Sequence, residues 1–323
     1  MQKKILIVDK ADPVLVELLE RAGFLCETIL DITHQQFIDK PDQYVGLIIR
    51  SKFLLDQKAI ASKPQLQFIA RLGAGMESID LDFAKNKGIT CISTPEGNAP
   101  AVAEHCLGLL LSSLRHINDA NQEVRNGLWL REKNKGKEIH SLVFGIIGFG
   151  NTGQAFVNLL KHFNPEILVY DKFKSGFQQD GIQEVSLDYL LAKSDVVSIH
   201  INYIPENHHF LNTHFFNQIK KPILLINSSR GAVLNTQDLI QAIQNEKVTH
   251  ACLDVLEYEN VNLQIPVKEN WDQTLLQLSE CKQVTLTPHI AGQTPESERR
   301  HAEFAFQKIM NLDQYTDQVP LKH

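Results

Sequence analysis

The chain has 323 residues, 43% of them hydrophobic and 22% charged, with 32 Lys+Arg against 38 Asp+Glu for a net charge of -6. That length suggests about two domains, and the composition excludes a disordered chain. The acidic balance speaks against a nucleic-acid binder, and no run of about 18 apolar residues is present to span a membrane.

Lys4-Asp9 reads as a first strand, Pro13-Ala22 as a helix stopped by Gly23, and Val45-Ile49 and Gln67-Ala70 as two further buried strands. A helix over Leu81-Lys87 and a strand over Ile89-Ile92 complete an alternation that predicts a parallel sheet with covering helices. Pro95-Pro100 reads as a connection, followed by a long helix from Val102 to Asn126 that Gly127 ends, and by a charged surface loop over Arg131-Lys137. A second alternating series has strands at Leu142-Ile147, Ile167-Tyr170, Val196-His200, Ile223-Asn227, Val248-Leu253 and Val284-Thr287. Glu257-Cys281 is more irregular, and a last helix over Pro295-Met310 needs a surface to bury its apolar face, for which the first domain is the candidate. The expected class is therefore α/β, two Rossmann-like domains with parallel sheets.

The five cysteines, Cys26, Cys91, Cys106, Cys252 and Cys281, are scattered and form no Cys-x-x-Cys. Neither a disulfide framework nor a zinc site is expected, and a reducing cytoplasm fits best. The four apolar residues after Met1-Gln2-Lys3-Lys4 are too few for a signal-peptide core.

Gly148-Phe149-Gly150-Asn151-Thr152-Gly153 follows a strand directly and opens a helix over Gln154-Lys161. In such a turn the first glycine permits the tight bend. The second lets backbone approach a pyrophosphate, and the third lets helix and strand pack closely. The helix start then offers free N–H groups to phosphate. Asp171 ends the next strand, at the distance where an acid accepts hydrogen bonds from the adenosine ribose. A carboxylate there favours NAD over NADP, although Lys172 and Lys174 stand close by.

Open α/β sheets bind ligands outside the carboxyl ends of their strands. Three such ends carry reactive groups: Ser228-Ser229-Arg230-Gly231, Asp254 with Glu257 and Glu259 beyond it, and Pro288-His289. This set suits hydride transfer to a 2-keto acid. Arg230 would polarise the carbonyl, His289 would exchange a proton with the substrate oxygen, and Glu259 would orient the imidazole. Taken singly each residue has a bland reading, a turn arginine, a structural histidine or a loop acid. His200, at another strand end without an evident acid partner, reads as a cofactor-edge or structural residue; His105 and the pair His208-His209 have weaker claims.

At these residues the sequence resembles the D-isomer-specific 2-hydroxyacid dehydrogenases, and most closely their D-3-phosphoglycerate dehydrogenase branch. The resemblance covers almost the whole chain. It is carried by Arg71-Leu72-Gly73-Ala74-Gly75 with Ile79-Asp80, Gly97-Asn98 with Val102-Ala103-Glu104, Gly148 to Gly153, Asn227 to Gly231, Leu253-Asp254-Val255 and Thr287 to Gly292. It implies a discontinuous substrate-binding domain of 1-98 plus 293-323 and an inserted NAD-binding domain of 99-292. It places the catalytic set on Arg230, Glu259 and His289. The NAD contacts would be Gly148, Gly150, Asn151, Thr152, Gly153, Asp171, His200, Ser228, Ser229, Asp254 and Gly292, with Asp254 near the nicotinamide. The substrate contacts would be Arg50, Ser51, the amides of Gly73-Ala74-Gly75, and Asn98. It also implies a homodimer through the NAD domain.

Three departures stand out. Asn260 takes the place of the usual proline after the catalytic Glu, the stretch from Val261 to Gln283 is long, and Ser228-Ser229 replaces a more common small or Thr-Ala pair; the first two leave Glu257 as an alternative partner for His289. A short form is expected, without a regulatory domain after the catalytic ones. Arg50 at the end of its strand favours 3-phospho-D-glycerate as substrate, oxidised in serine biosynthesis; relatives that reduce glyoxylate or hydroxypyruvate also carry Arg there. A different class, an NAD(H)-sensing corepressor-like protein, shares the fold. A hydrolase that uses NAD transiently would need another substrate domain.

Overall fold

The computed structural model of the chain describes residues 3–179 and 181–312. The first two residues, and 313–323 of the segment assigned by sequence to the first domain, lie outside the described residues. The chain splits into two units: unit 1 runs up to Asn98, takes in Asn260–Leu263 and resumes at Gln293, and unit 2 comprises Ala99–Glu259 and Gln264–Gly292. Asn260–Leu263, inside the 99-292 segment expected for the NAD-binding domain, groups with unit 1.

Unit 1 alternates β1 (Lys4–Ile7), α1 (Pro13–Arg21), β2 (Leu25–Thr28), α2 (His34–Asp39), β3 (Tyr44–Ile49), α3 (Gln57–Ala61), β4 (Phe68–Arg71), α4 (Leu81–Asn86) and β5 (Thr90–Ser93). Among the described residues these strands form one parallel sheet in the order β2-β1-β3-β4-β5. β3 is buried along nearly its whole length, as a strand covered on both faces must be. α1 begins where Asp12 accepts the Val14 N–H at 2.9 Å and Pro13 fills the first helical position, which needs no donor. Its Leu15 and Leu19 pack with Ile5 and Ile7 of β1 and with Ala302, Ala305 and Ile309 of the last helix, Pro295–Met310.

α5 (Pro95–Leu114) starts in unit 1 and continues into unit 2, followed by α6 (Ile117–Arg125). Both corrections to the expected connection and single long helix are local in cause. Pro100 sits inside α5, where a missing N–H costs one backbone bond that the buried apolar face of the helix outweighs. His116 adopts φ 52°, a left-handed residue that interrupts the helix before α6.

In unit 2, β6 (Val143–Ile147), α7 (Asn151–Leu160), β7 (Glu166–Tyr170), β8 (Gln183–Glu184), α8 (Leu187–Lys193), β9 (Val196–Ile199), α9 (Thr213–Gln218), β10 (Ile223–Asn227), α10 (Thr236–Gln244), β11 (Val248–Leu253), α11 (Gln273–Glu280) and β12 (Val284–Leu286) follow in turn. The last helix is α12. The described strands form a parallel sheet ordered β12-β11-β10-β9-β6-β7-β8, so chain order reverses between β6 and β9. α5 and α7 cover one face with Val102, Cys106, Leu110, Phe156 and Val157. α8 to α11 cover the other with residues such as Leu190, Phe215, Leu239 and Leu278. The irregular stretch before β12 contains α11, which Asp272 caps at the Leu275 N–H.

Two buried histidines make the fold acid-sensitive. His200, 7% exposed, is pushed down to about 4 by burial. His301 of α12, 4% exposed and 2.8 Å from the Thr94 hydroxyl, is pushed down to about 4 by burial first and then by Arg50. Both stay neutral in the fold but take a proton from about pH 6.5 downward when unfolded. The unfolded state therefore binds more protons in that window, and stability present above it is lost as pH falls. We expect denaturant titrations to lose about 2 kcal/mol per histidine between pH 6.5 and 5. His301→Gln should flatten the profile, and a variant with the wild-type slope would exclude His301 as a source.

Candidate active site

The reversal between β6 and β9 is where an open parallel sheet presents a ligand crevice. Gly148 leaves β6 with φ 94°, and a Cβ there would lie 2.5 Å from the His200 carbonyl oxygen. A Cβ on Gly153 would lie 2.2 Å from the Gly148 carbonyl oxygen, so the helix packs on the turn only with glycine. Gly150 differs: a Cβ there would meet nothing within 4 Å. It precedes α7 as an N-cap without a side-chain hydrogen bond. Asn151 and Thr152 therefore begin a helix whose first amides no side chain caps, an arrangement that fits a pyrophosphate.

Asp171 is fixed beside this turn. Its carboxylate accepts the N–H groups of Phe149 (2.7 Å), Phe173 (2.9 Å) and Lys174 (3.0 Å). Lys174 Nζ turns away to the Phe149 carbonyl at 3.2 Å. The His200 ring bonds the Ser198 hydroxyl at 2.8 Å through Nε2, while its Nδ1 is buried with no partner among the described residues.

Past β11, the carboxylate of Asp254, 1% exposed, gathers the following loop. It accepts the Thr287 hydroxyl (2.6 Å) and the amides of Ile290 and Ala291 (2.9 Å each), and His105 Nε2 stands 3.5 Å away. Asp254 was expected as a cofactor contact; its oxygens are turned into the protein and committed to this bracket. Gly292 ends the unit just beyond it. Between those donors His289 adopts φ 54°, held by its own N–H on the Asp254 carbonyl at 2.8 Å. Its Nδ1 meets Glu259 Oε2 at 2.6 Å. Glu259 is itself fixed, because Oε1 accepts the Leu256 N–H at 2.7 Å.

Glu257, the alternative partner, is engaged elsewhere: Oε1 accepts the Thr236 N–H at 2.8 Å and Oε2 pairs with His209 at 2.7 Å. Sequence reasoning gave His105, in a helix, and His209, in a polar segment, little weight. Arg230 follows β10 and donates Nη1 to the Ser229 carbonyl at 2.8 Å. Asn227 Oδ1 accepts from both the amide and the hydroxyl of Ser229, and the Ser228 hydroxyl lies 3.0 Å from Cys106 Sγ. Gly231 explains the Arg-Gly pair, since a Cβ there would lie 2.0 Å from the Leu256 backbone. Glycine alone lets the Arg230 loop rest against the turn that carries Glu259.

In unit 1, Asp9 Oδ2 accepts three successive amides, Arg50 (2.6 Å), Ser51 (3.1 Å) and Lys52 (3.0 Å). Arg50 Nη1 bonds Glu298 at 3.1 Å. Gly73 has φ 154°, and its amide is already shared by the Thr94 hydroxyl and the Arg71 carbonyl, both at 3.0 Å. Of the turn expected to hold a carboxylate by its amides, Gly73 is thus committed to its own fold. The amides of Ala74 and Gly75 have no partner among the described residues. Asn98 Oδ1 is buried and likewise without a partner among them.

A family profile described as D-isomer specific 2-hydroxyacid dehydrogenase, NAD binding domain, matches residues 107–291. The chain is 31% identical over 297 residues to a D-3-phosphoglycerate dehydrogenase of Synechocystis sp., covering 91% of this chain and 51% of that protein. The chain thus spans about half the length of that relative. It is 34% identical to a hydroxypyruvate reductase of Thermotoga maritima, over 79% of this chain and 80% of that one. The apo-structure of D-lactate dehydrogenase from Escherichia coli superposes with a TM-score of 0.76 at 28% identity, covering 97% of each chain.

The two glycines of the turn should separate in effect. Gly150→Ala should leave the thermal midpoint in place and weaken NADH binding about tenfold or more, because its methyl enters the space left for phosphate. Gly153→Ala should cost about 1–3 kcal/mol of stability through overpacking. Calorimetric unfolding with NADH titration checks both, and equal NADH affinity in Gly150→Ala would overturn the assignment of that space.

Proposed function

Since the chain belongs to the D-isomer specific 2-hydroxyacid dehydrogenases and unit 2 carries the NAD-binding domain of that family, we propose that it oxidises and reduces a small 2-hydroxy/2-keto acid pair with NAD. The observation that carries this reading is the fixed His289–Glu259 pair, 2.6 Å apart. NAD, when bound, supplies the acceptor or donor of the hydride. Glu259 holds His289 through Nδ1, so Nε2 is the nitrogen that takes the hydroxyl proton in oxidation and returns it in reduction. Arg230 is the fixed cation that polarises the carbonyl and anchors the carboxylate, and the open amides of Ala74 and Gly75 are further carboxylate donors. Gly148 to Gly153 hold the pyrophosphate and Asp171 the ribose. His200, Ser228 and Ser229 contribute to the same cofactor site, which Gly292 closes along the chain. Asp254 acts as a positioning residue.

For the substrate, Arg50, with Ser51 and Asn98, supports the 3-phospho-D-glycerate reading and a place in serine biosynthesis. The Arg50–Glu298 pair favours a second reading, an unphosphorylated acid such as hydroxypyruvate or glyoxylate. The relatives' names divide the same way. Among the described residues no helix is long and apolar enough to cross a membrane.

A homodimer through unit 2 accords with its exposed apolar residues. α6 buries none of its side chains, with Ile117 and Val124 exposed, and the chain continues into Leu128, Trp129 (77% exposed) and Leu130. A patch of that kind calls for a cover. Trp129→Glu is expected to shift the sedimentation coefficient from dimer to monomer, and an unchanged dimer would move the interface elsewhere.

NADH oxidation by the purified protein against 3-phosphohydroxypyruvate, hydroxypyruvate, glyoxylate, pyruvate and 2-oxoglutarate tests the enzyme reading. His289→Gln should lower kcat/KM on the accepted acid by about 10²–10⁴-fold, and Glu257→Gln by far less. NADH bound without turnover on any acid would instead favour the corepressor-like class.

A further inference from the structure

Two carboxylates close over the Arg50 loop of unit 1. β1 and β3 are neighbours in the order β2-β1-β3-β4-β5, so the loop leaves the sheet at its point of reversal, where such sheets receive ligands. Three successive amides turned to one point make a nest suited to an anion. Here Asp9 Oδ2 fills it, at 2.6, 3.1 and 3.0 Å from the amides of Arg50, Ser51 and Lys52. The guanidinium beside the nest is taken as well. Glu298, in the first turn of α12, accepts Arg50 Nη1 at 3.1 Å on one oxygen, and Lys10 Nζ stands 3.8 Å from the other.

The neighbouring arginines do not replace it. Arg71 Nε donates to the Arg50 carbonyl at 3.2 Å, and Arg300 Nε to the Gly97 carbonyl at 2.8 Å. His301, in the same shallow pocket as Arg50 and Glu298, is buried and neutral near pH 7. A phosphate brought to Arg50 would share one guanidinium with a carboxylate already in contact with it. Like charges set that close oppose binding, and specificity is often set by such a repulsive element. A monocarboxylic acid without phosphate adds no second anionic group.

We propose that Glu298 is a specificity-determining residue whose ion pair with Arg50 disfavours phosphorylated 2-hydroxy and 2-keto acids and tunes the site to unphosphorylated ones. The proposal rests on the dehydrogenase reading and on Arg50 meeting the end of the substrate away from the reacting carbon.

The test is calorimetric titration of the NADH-loaded full chain with 3-phospho-D-glycerate, D-glycerate and inorganic phosphate. Wild type is compared with Glu298→Gln, Glu298→Ala and Glu298→Gln/Arg50→Ala. The wild type should prefer D-glycerate. Either single variant should raise the affinity ratio of 3-phospho-D-glycerate over D-glycerate by about tenfold, the discrimination one charged contact commonly carries. The double variant should lose that gain. Inorganic phosphate should follow the phosphorylated acid.

A wild type that already prefers the phosphorylated acid, a ratio unmoved in both single variants, or a gain that survives removal of Arg50 would overturn the proposal. So would failure of all three ligands to bind any variant, since Arg50 would then be no substrate contact. The enzyme reading fails by a different signature: no NADH oxidation with any acid while the binding preferences are still measured.

Discussion

The buried carboxylate of Asp254 is the constraint on which the proposed catalytic side of unit 2 depends. A charge 1% exposed is costly unless its oxygens are filled with donors. Here the Thr287 hydroxyl and the amides of Ile290 and Ala291 fill them, and all three come from the loop that carries His289. Satisfying the charge and shaping the loop are therefore one event. Removing the carboxylate would orphan the buried Ala291 amide, a penalty of about 1–3 kcal/mol, and free that of the more exposed Ile290. It would also release a residue held in the left-handed region at φ 54°.

The same device recurs at other strand ends. Asp9 past β1 gathers the amides after β3, and Asp171 past β7 gathers the amides of Phe149, Phe173 and Lys174. In each case an acid at the carboxyl edge of a parallel sheet meets amides that have left the ladder and need acceptors. The turn after β6 is treated differently. Its helix start receives no capping side chain, and Gly150 faces open space. Asp171 takes the Phe149 amide of that turn, but no side chain caps the start of α7. The helix start is thus open to a ligand anion, whereas the nest after β3 is filled from within.

This difference also marks how far sequence could be read. Strands such as β6 and β10, the glycine turn and α12 over Pro295–Met310 carry short-range signals, periodicity, glycine spacing and a Thr-Pro start, and those are visible in a linear text. β2 and β8 are not visible, because their side chains are half exposed and they are strands only by pairing with a neighbour. The break at His116 lacks glycine or proline to announce it. Arg230, Glu259 and His289 stood out by position, but the choice of Glu259 over Glu257 needed the backbone of Leu256 and the ring of His209, which are fold contacts. Glu298 was beyond reach altogether, since its pairing with Arg50 spans 248 positions. Residue type and local pattern place chemistry on strand ends. Which charge neutralises which is settled by tertiary packing.

The geometry of the proposed acid–base pair bears on why an enzyme, rather than a sensor, is the stronger reading. Glu259 accepts the Leu256 N–H with one oxygen and His289 Nδ1 with the other, so neither oxygen is left to swing away from the ring. With a carboxylate fixed at Nδ1, the neutral imidazole keeps its proton there and presents Nε2 as an acceptor; once Nε2 is protonated the same ring is a donor. One orientation then serves both directions of a dehydrogenation, with no side-chain rearrangement between them. A protein that only registers bound cofactor needs an intact glycine turn and ribose acid, but makes no use of an imidazole whose tautomer a carboxylate fixes. The hydrogen bonds to Asp254 and Glu259 fix the loop and the ring of His289, and the proposed proton transfer is the function that such fixing would serve.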